Sequence, residues 1–306
     1  MSWTFLLCCL LWQGSLPQET GPYVAVLGIA QDAGFPQAGC AKTCCRAVFA
    51  GEVPPRLPVC LALVDSDGRR YMFEATPAFP RQLHALNRLA PARAAAAPDG
   101  IFLTHGHIGH YTGLMHLGRE VMGAREVPVY AMPRMVAFLG GNGPWDQLLR
   151  LGNIRLHGIK ADTPEVLSAR LRVTPFLVPH RDEYTETVGY LIEGPRRKLA
   201  FIPDIDKWSR LARPIEELIA RVDVAYLDAT FYADGELPGR NAAEVPHPFV
   251  TESLARFAAL PESERAKVRF IHFNHTNPLL QPESKAAAAV KAAGMHVARE
   301  GEIEQL

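Results

Sequence analysis

From residue 23 onward, short apolar runs alternate with segments of helical period, the pattern of an α/β protein. The runs at 23–27, 59–64, 71–73, 101–103, 127–130, 171–178, 188–192, 198–202, 222–227 and 268–273 predict strands. Ser66-Asp67-Gly68 supplies a hairpin turn between the second and third. Several runs are apolar without a break, as strands covered on both faces are, so helices are expected outside the sheets. Helical spacing predicts helices over 81–89, 114–122, 145–151, 215–221, 251–259 and 284–293, each after a strand. Residues 132–145 and 231–247 read as irregular Gly/Pro-rich stretches suited to pocket walls or surface loops, and 94–97 as a surface connection. No repeat or linker interrupts the pattern, so a single domain is expected over 21–306.

Residues 1–20 read differently. The run from Trp3 to Trp12 is too short to span a bilayer and long enough for a signal-peptide core. No Lys or Arg precedes Lys42, and small residues around Gly14 and Ser15 are poorly placed for cleavage, so an apolar tail is the alternative. Export is the expectation over a cytoplasmic location. No other stretch looks membranous.

Among 306 residues, 48% are hydrophobic and 21% charged, enough to build a sizeable core and too few charges for a disordered chain. The 32 Lys+Arg balance the 32 Asp+Glu, so no net field draws in a polyanion and no nucleic acid is expected as a partner. The expected partner is a small-molecule substrate, with a homodimer left open. Of six cysteines, Cys8 and Cys9 fall in the first segment, and the remaining four are too few for a disulfide scaffold.

The densest chemistry follows the apolar run 101–103, where Thr104-His105-Gly106-His107-Ile108-Gly109-His110 precedes a helical segment. Packing alone gives no reason for three imidazoles in six residues. Neutral imidazole is a good zinc ligand, and a strand-to-helix turn can aim such side chains into one cavity. His180, Asp204 and His272 then follow at or near the ends of later apolar runs, where an α/β sheet places its site.

These residues, in this order, resemble the metallo-β-lactamase superfamily with its HxHxDH motif, over almost the whole chain from Tyr23. The chain is most similar to the branch holding the pyrroloquinoline quinone biosynthesis protein B and the cyclic phosphodiesterase of phosphonate breakdown. Gly34-Phe35-Pro36-Gln37, Gly109-His110-Tyr111-Thr112-Gly113-Leu114 and the run from Ile271 to Pro278 carry that likeness. The resemblance implies a four-layer αββα fold, two mixed sheets flanked by helices. It implies one metal held by His105, His107 and His180, with Asp204 bridging to a second held by His110 and His272. Gly109 stands where the motif has Asp, so the second ion is expected to bind weakly or not at all, and Gly109→Asp to restore it. Asp32, Asp206 and Asp228 are the candidates to fill the gap. For Asp206 a helix cap, and for Asp228 a strand-end hydrogen bond, is the plainer role. Protein B relatives are expected to lack histidines of this motif that the chain retains.

Cys40, Cys44 and Cys45 offer three thiols in six residues, a set suited to structural zinc. In the phosphodiesterase relative three cysteines and a later histidine serve there, which implies His275 as the fourth ligand, although the middle cysteine is displaced here. A disulfide such as Cys40 to Cys60 is the alternative in an exported protein, with Cys60 otherwise a buried small side chain. His84, His116, His157 and His296 read as structural or solvated, and His247, between two prolines, as the exception near the pocket mouth or the cysteine site.

The expected activity is hydrolysis by water activated on Zn2+, Mn2+ or Fe2+, with one or two ions at the histidines. Asp204 would orient the water and take its proton, and His110 or a second ion would stabilise the oxyanion. A phosphodiester ranks first through the resemblance, an ester or lactone next. The alternatives are an iron-dependent oxidation like that of the protein B branch, and a binding protein whose metal is structural.

Overall fold

The computed structural model describes residues 21–90, 96–236 and 245–306. The signal-peptide reading of 1–20 lies outside the described residues, as do 94–95 of the surface connection and 237–244 of the second irregular stretch.

One sheet contains β1 (Tyr23–Gly28), β2 (Cys60–Val64), β3 (Arg70–Phe73), β4 (Gly100–Phe102), β5 (Val127–Ala131) and β6 (Ile154–Gly158) side by side in chain order. The other contains β7 (Glu165–Val166), β8 (Arg172–Leu177), β9 (Val188–Glu193), β10 (Lys198–Ile202), β11 (Val224–Asp228), β12 (Val268–Ile271) and β13 (His296–Val297). The last strand, β14 (Ile303–Gln305), returns to the first sheet beside β1. Between the strands lie α1 (Thr43–Phe49), α2 (Phe79–Leu89), α3 (Ile108–Tyr111), α4 (Pro133–Gly141), α5 (Trp145–Arg150), α6 (Ile215–Arg221), α7 (Val250–Phe257), α8 (Glu262–Arg265) and α9 (Lys285–Ala292).

Strand alternation sorts the apolar residues into layers. Val24 and Val26 of β1 join the core between the sheets, while Ala25 and Leu27 point the other way, toward Leu83 and Leu86 of α2. Phe73, Phe102, Tyr190 and Phe201 meet between the sheets; Phe73 lies 5.0 Å from Phe102 and 5.2 Å from Tyr190, centroid to centroid. Met135 and Leu139 of α4 and Leu148 of α5 cover the outside of the first sheet. Ile215 and Ile219 of α6, with Val250 and Phe257 of α7, pack with residues of the second sheet. The result is the four-layer αββα arrangement expected from the sequence.

All ten predicted strands form, with shifted ends. One helix expectation and one loop expectation need correction. Residues 114–122 are not an α-helix: a 3-10 turn over Thr112–Leu117 ends at Gly118, whose ψ of 169° leaves helical backbone. The stretch 132–145, read as irregular, contains α4, because Pro133 occupies the first turn, where its missing N–H breaks no helical bond. Among the described residues no helix is long and apolar enough to cross a membrane.

Candidate metal centre

Both sheets deliver their site residues just beyond strand ends. β3 leads to Glu74 and β4 to the turn holding His105, His107 and His110. From the second sheet, β8 leads to His180, β10 to Asp204, β11 ends in Asp228 and β12 leads to His272. Since β10, β11 and β12 are parallel, Asp204, Asp228 and His272 emerge at one edge. Glu74 and His272 have φ of 81° and 70°. Left-handed backbone at a non-glycine residue costs about 1–3 kcal/mol, and such strain concentrates at functional sites.

The distances identify what the cluster can hold. His105 Nε2 lies 2.8 Å from His107 Nδ1 and 3.5 Å from Asp204 Oδ2, and His180 Nε2 lies 3.3 Å from Asp204 Oδ1. Tetrahedral ligands at zinc–nitrogen distances of about 2.0–2.1 Å sit about 3.3 Å apart. His110 Nε2 lies 2.9 Å from Asp32 Oδ1 and 3.7 Å from Asp204 Oδ2, and His272 Nε2 lies 3.8 Å from Asp32 Oδ1. Asp32 Oδ1, His110 Nε2, His180 Nε2, Asp204 Oδ1 and His272 Nε2 are buried without a hydrogen-bond partner. Buried polar atoms are normally satisfied, so atoms that crowd together without hydrogen-bond geometry fit a shared cation.

Neighbouring side chains set the tautomers. The Thr104 hydroxyl donates to Glu74 Oε1 at 2.5 Å, so its oxygen accepts from His105 Nδ1–H at 2.9 Å. That leaves His105 Nε2 bare. His107 Nε2–H donates to Glu183 Oε2 at 3.0 Å, which leaves Nδ1 without a proton as well, with Arg181 Nη2 as a side-chain donor at 3.5 Å. Thr230 donates to Asp228 Oδ1 at 2.7 Å and accepts from His272 Nδ1–H at 2.8 Å, leaving its Nε2 facing the cluster. Two bare nitrogens 2.8 Å apart repel each other, and a divalent ion between them removes that cost.

The charge balance divides the two sets of histidines. Burial, with His110 nearby, holds His105 well below the usual imidazole range, and burial lowers His107 despite Glu183, so both are neutral as ligands must be. For His110 burial works against charge, yet the flanking Glu74 and Asp32 outweigh it and raise the pKa, and against burial Asp204, Asp228 and Asp32 lift His272 to about 9, so an ion bound by these two must displace a proton from each. Burial would likewise raise Asp204, but His180, His247 and His272 hold it well below the carboxylate range.

Where position 109 lacks a carboxylate, Asp32 stands. Gly109→Asp has no room: a Cβ there would lie 2.4 Å from Asp32 Cα and from Oδ1, Asp32 being one of the three carboxylates expected as candidates for this place. Asp206 accepts from Lys207 N and Arg210 Nη1, a local role in the turn. Asp228 accepts from Ile205 N, Thr230 and His247. His247 Nδ1 lies 2.9 Å from Asp228 Oδ2 and 3.2 Å from Asp204 Oδ1, inside the cluster rather than at the cysteines. Asp228 and Asp204 together lift His247 to about 10 against its burial.

Cys40, Cys44, Cys45 and His275 form a second cluster, with ligand atoms all within 4.8 Å of one another. Cys44 Sγ and Cys45 Sγ are 4.0 Å apart, against about 3.8 Å for sulfurs on one tetrahedral zinc with bonds of about 2.3 Å. Burial and the neighbouring sulfurs push the Cys45 thiol up to about 12, a cost that a cation removes. Cys60 is free and buried in β2, not bonded to Cys40. His116 stacks on Phe79 and His157 pairs with Glu165, both structural.

Sequence reading missed Glu74, Thr104, Glu183 and Thr230. Each is an ordinary polar residue after or between strands, and only its contact with a histidine marks it.

Residues 69–294 match the beta-lactamase superfamily domain. The chain belongs to the beta-lactamase superfamily. Within this superfamily, coenzyme PQQ synthesis protein B of Methylobacterium sp. (strain 4-46) is 30% identical over 302 aligned positions, covering 90% of this chain and 97% of the relative. That places the chain in the protein B branch. The zinc-bound crystal structure of PqqB from Methylobacterium extorquens superposes with a TM-score of 0.78 at 26% identity, covering 93% of this chain and 100% of that one. A diphosphatase of the PhnP family shares the fold, with a TM-score of 0.65 at 20% identity over 93% of this chain and 97% of that one.

Proposed function

We propose that this beta-lactamase superfamily chain is a metal-dependent hydrolase. The observation that carries the reading is the pair of bare nitrogens, His105 Nε2 and His107 Nδ1, 2.8 Å apart and backed by His180 and Asp204. These four residues would hold a divalent ion, zinc first, which would supply a Lewis acid and bring the pKa of a bound water down to about 7. Asp204 faces both histidine groups through its two oxygens, so it can join the two sets and orient a water between them by hydrogen bond. His247, fixed by Asp228, stands beside Asp204 as a protonated group able to give a proton to a leaving oxygen. Arg181 Nη2 lies 3.5 Å from His107 Nδ1, a cation at the opening that suits an anionic substrate. Phosphodiesters therefore rank ahead of neutral esters and lactones. Cys40, Cys44, Cys45 and His275 hold a structural zinc in the same reading.

A second reading, a role in coenzyme PQQ synthesis, follows from the 30% identity to coenzyme PQQ synthesis protein B, and the family resemblance implies an iron-dependent oxidation for it. Iron-dependent oxygen consumption without hydrolysis would select it.

The test uses chelated protein reloaded with zinc, manganese or iron and assayed on bis(p-nitrophenyl) phosphate, p-nitrophenyl acetate and a lactone. His180→Ala is expected to lose an ion and hydrolysis together, with its circular dichroism unchanged. Full hydrolysis by metal-free His180→Ala would refute the proposal.

A further inference from the structure

We propose that Asp32 is a transplanted metal ligand: it supplies, from a different stretch of chain, the carboxylate that position 109 lacks. With His110, Asp204 and His272 it completes a second divalent-metal site. The inference rests on the reading of the histidine cluster as a metal centre and extends it to the stoichiometry.

Three observations carry it. First, Asp32 Oδ1 is a buried oxygen with no hydrogen-bond partner, 2.9 Å from His110 Nε2 and 3.8 Å from His272 Nε2. Second, the backbone delivers it there by design of the sheet edge: Ala30 bridges to both Pro58 and Phe273, and Gln31 N donates to Phe273 O at 2.8 Å. Asp32 therefore runs alongside the strand extension that carries His272. Third, the place is exclusive. A Cβ on residue 109 would lie 2.4 Å from Asp32 Cα and Oδ1 and 2.5 Å from its Cβ, so glycine at 109 is what admits the Asp32 side chain.

The two other carboxylates that the sequence offers for this gap, Asp206 and Asp228, do not compete. Asp206 is engaged by Lys207 N and Arg210, and both oxygens of Asp228 are taken by Ile205 N, Thr230 and His247. The second ion thus keeps a carboxylate ligand although position 109 is glycine. The ligand is a divalent cation of the zinc, manganese or iron class, which takes mixed nitrogen and carboxylate donors.

The experiment is metal counting by mass spectrometry on the full chain after loading with zinc and gel filtration, with thermal melts in parallel. The variants are Asp32→Ala, Asp32→Asn and Gly109→Asp. Asp32→Ala is expected to carry one ion fewer than the parent, and Asp32→Asn to bind that ion more weakly than the parent. Gly109→Asp should lower the melting temperature and lose the same ion, because the added Cβ meets the Asp32 backbone as well as its side chain. An unchanged ion count in folded Asp32→Ala overturns the proposal, and so does an Asp32→Asn variant that binds the ion as tightly as the parent. Because the readout is stoichiometry, a parent that binds the ions but hydrolyses nothing would defeat the hydrolase reading and leave this one standing.

Discussion

Glu74 is fully buried, and its carboxylate serves two neighbours at once: it accepts from Thr104 and lies 3.3 Å from His110 Nδ1. Burying a carboxylate is costly unless it is bonded or paired, so its presence here needs the histidine turn it supports. Glu74→Gln keeps the volume and removes the charge beside His110. The account predicts a 10–100-fold weaker ion at His110, an estimate of about the size seen when such orienting partners are lost, measured by competition with a chelator. Equal affinity in the variant and the parent would show that Glu74 only fills space. The histidines were legible in the sequence because each follows an apolar run, but Glu74 was not. A single acidic residue after a strand resembles many solvent-facing ones, and only the fold shows it pointing inward.

Two short segments join the two clusters. Asp32 precedes Cys40 by eight residues, and His272 precedes His275 by three. The segments are also hydrogen-bonded to each other through Gln31 and Phe273. An ion at the cysteines would thus fix the chain on which Asp32 and His272 ride, while His105, His107 and His180 sit on other elements. Cys45→Ser is expected to weaken the ion at Asp32 and His272 about 10-fold, by loss of an orienting support, and to leave the His105 ion unchanged. Isothermal titration of the chelated variant separates the two. Equal weakening of both ions, or of neither, would contradict the linkage. At this scale the sequence showed the cysteines and their chemistry, but α1, which carries Cys44 and Cys45, lacks a repeating apolar face long enough to announce a helix. The helix α4 was hidden for a related reason, since Pro133 and the Gly140-Gly141 pair read as loop signals when they in fact open and close it.

The site belongs to neither sheet alone. His105, His107, His110 and Glu74 come from the first sheet, and His180, Asp204, Asp228 and His272 from the second. Their separation is set by the aromatic layer between the sheets, where Phe73 packs on Phe102, Tyr190 and Phe201. Removing one such side chain typically costs about 3–5 kcal/mol, so the layer that stabilises the fold also fixes the cluster. The strands were readable from their apolar runs. Which strands pair, and that β14 returns beside β1, depends on contacts between distant parts of the chain that no local pattern records.

The central claim is that these two half-sites close around divalent metal. Anomalous diffraction at the zinc edge, on crystals of the full chain grown with zinc, tests it most directly. The account predicts a peak among His105, His107, His180 and Asp204, a second among Asp32, His110, Asp204 and His272, and a third among Cys40, Cys44, Cys45 and His275. Crystals in which the histidine clusters show no anomalous density, with zinc at the cysteines alone, would contradict it.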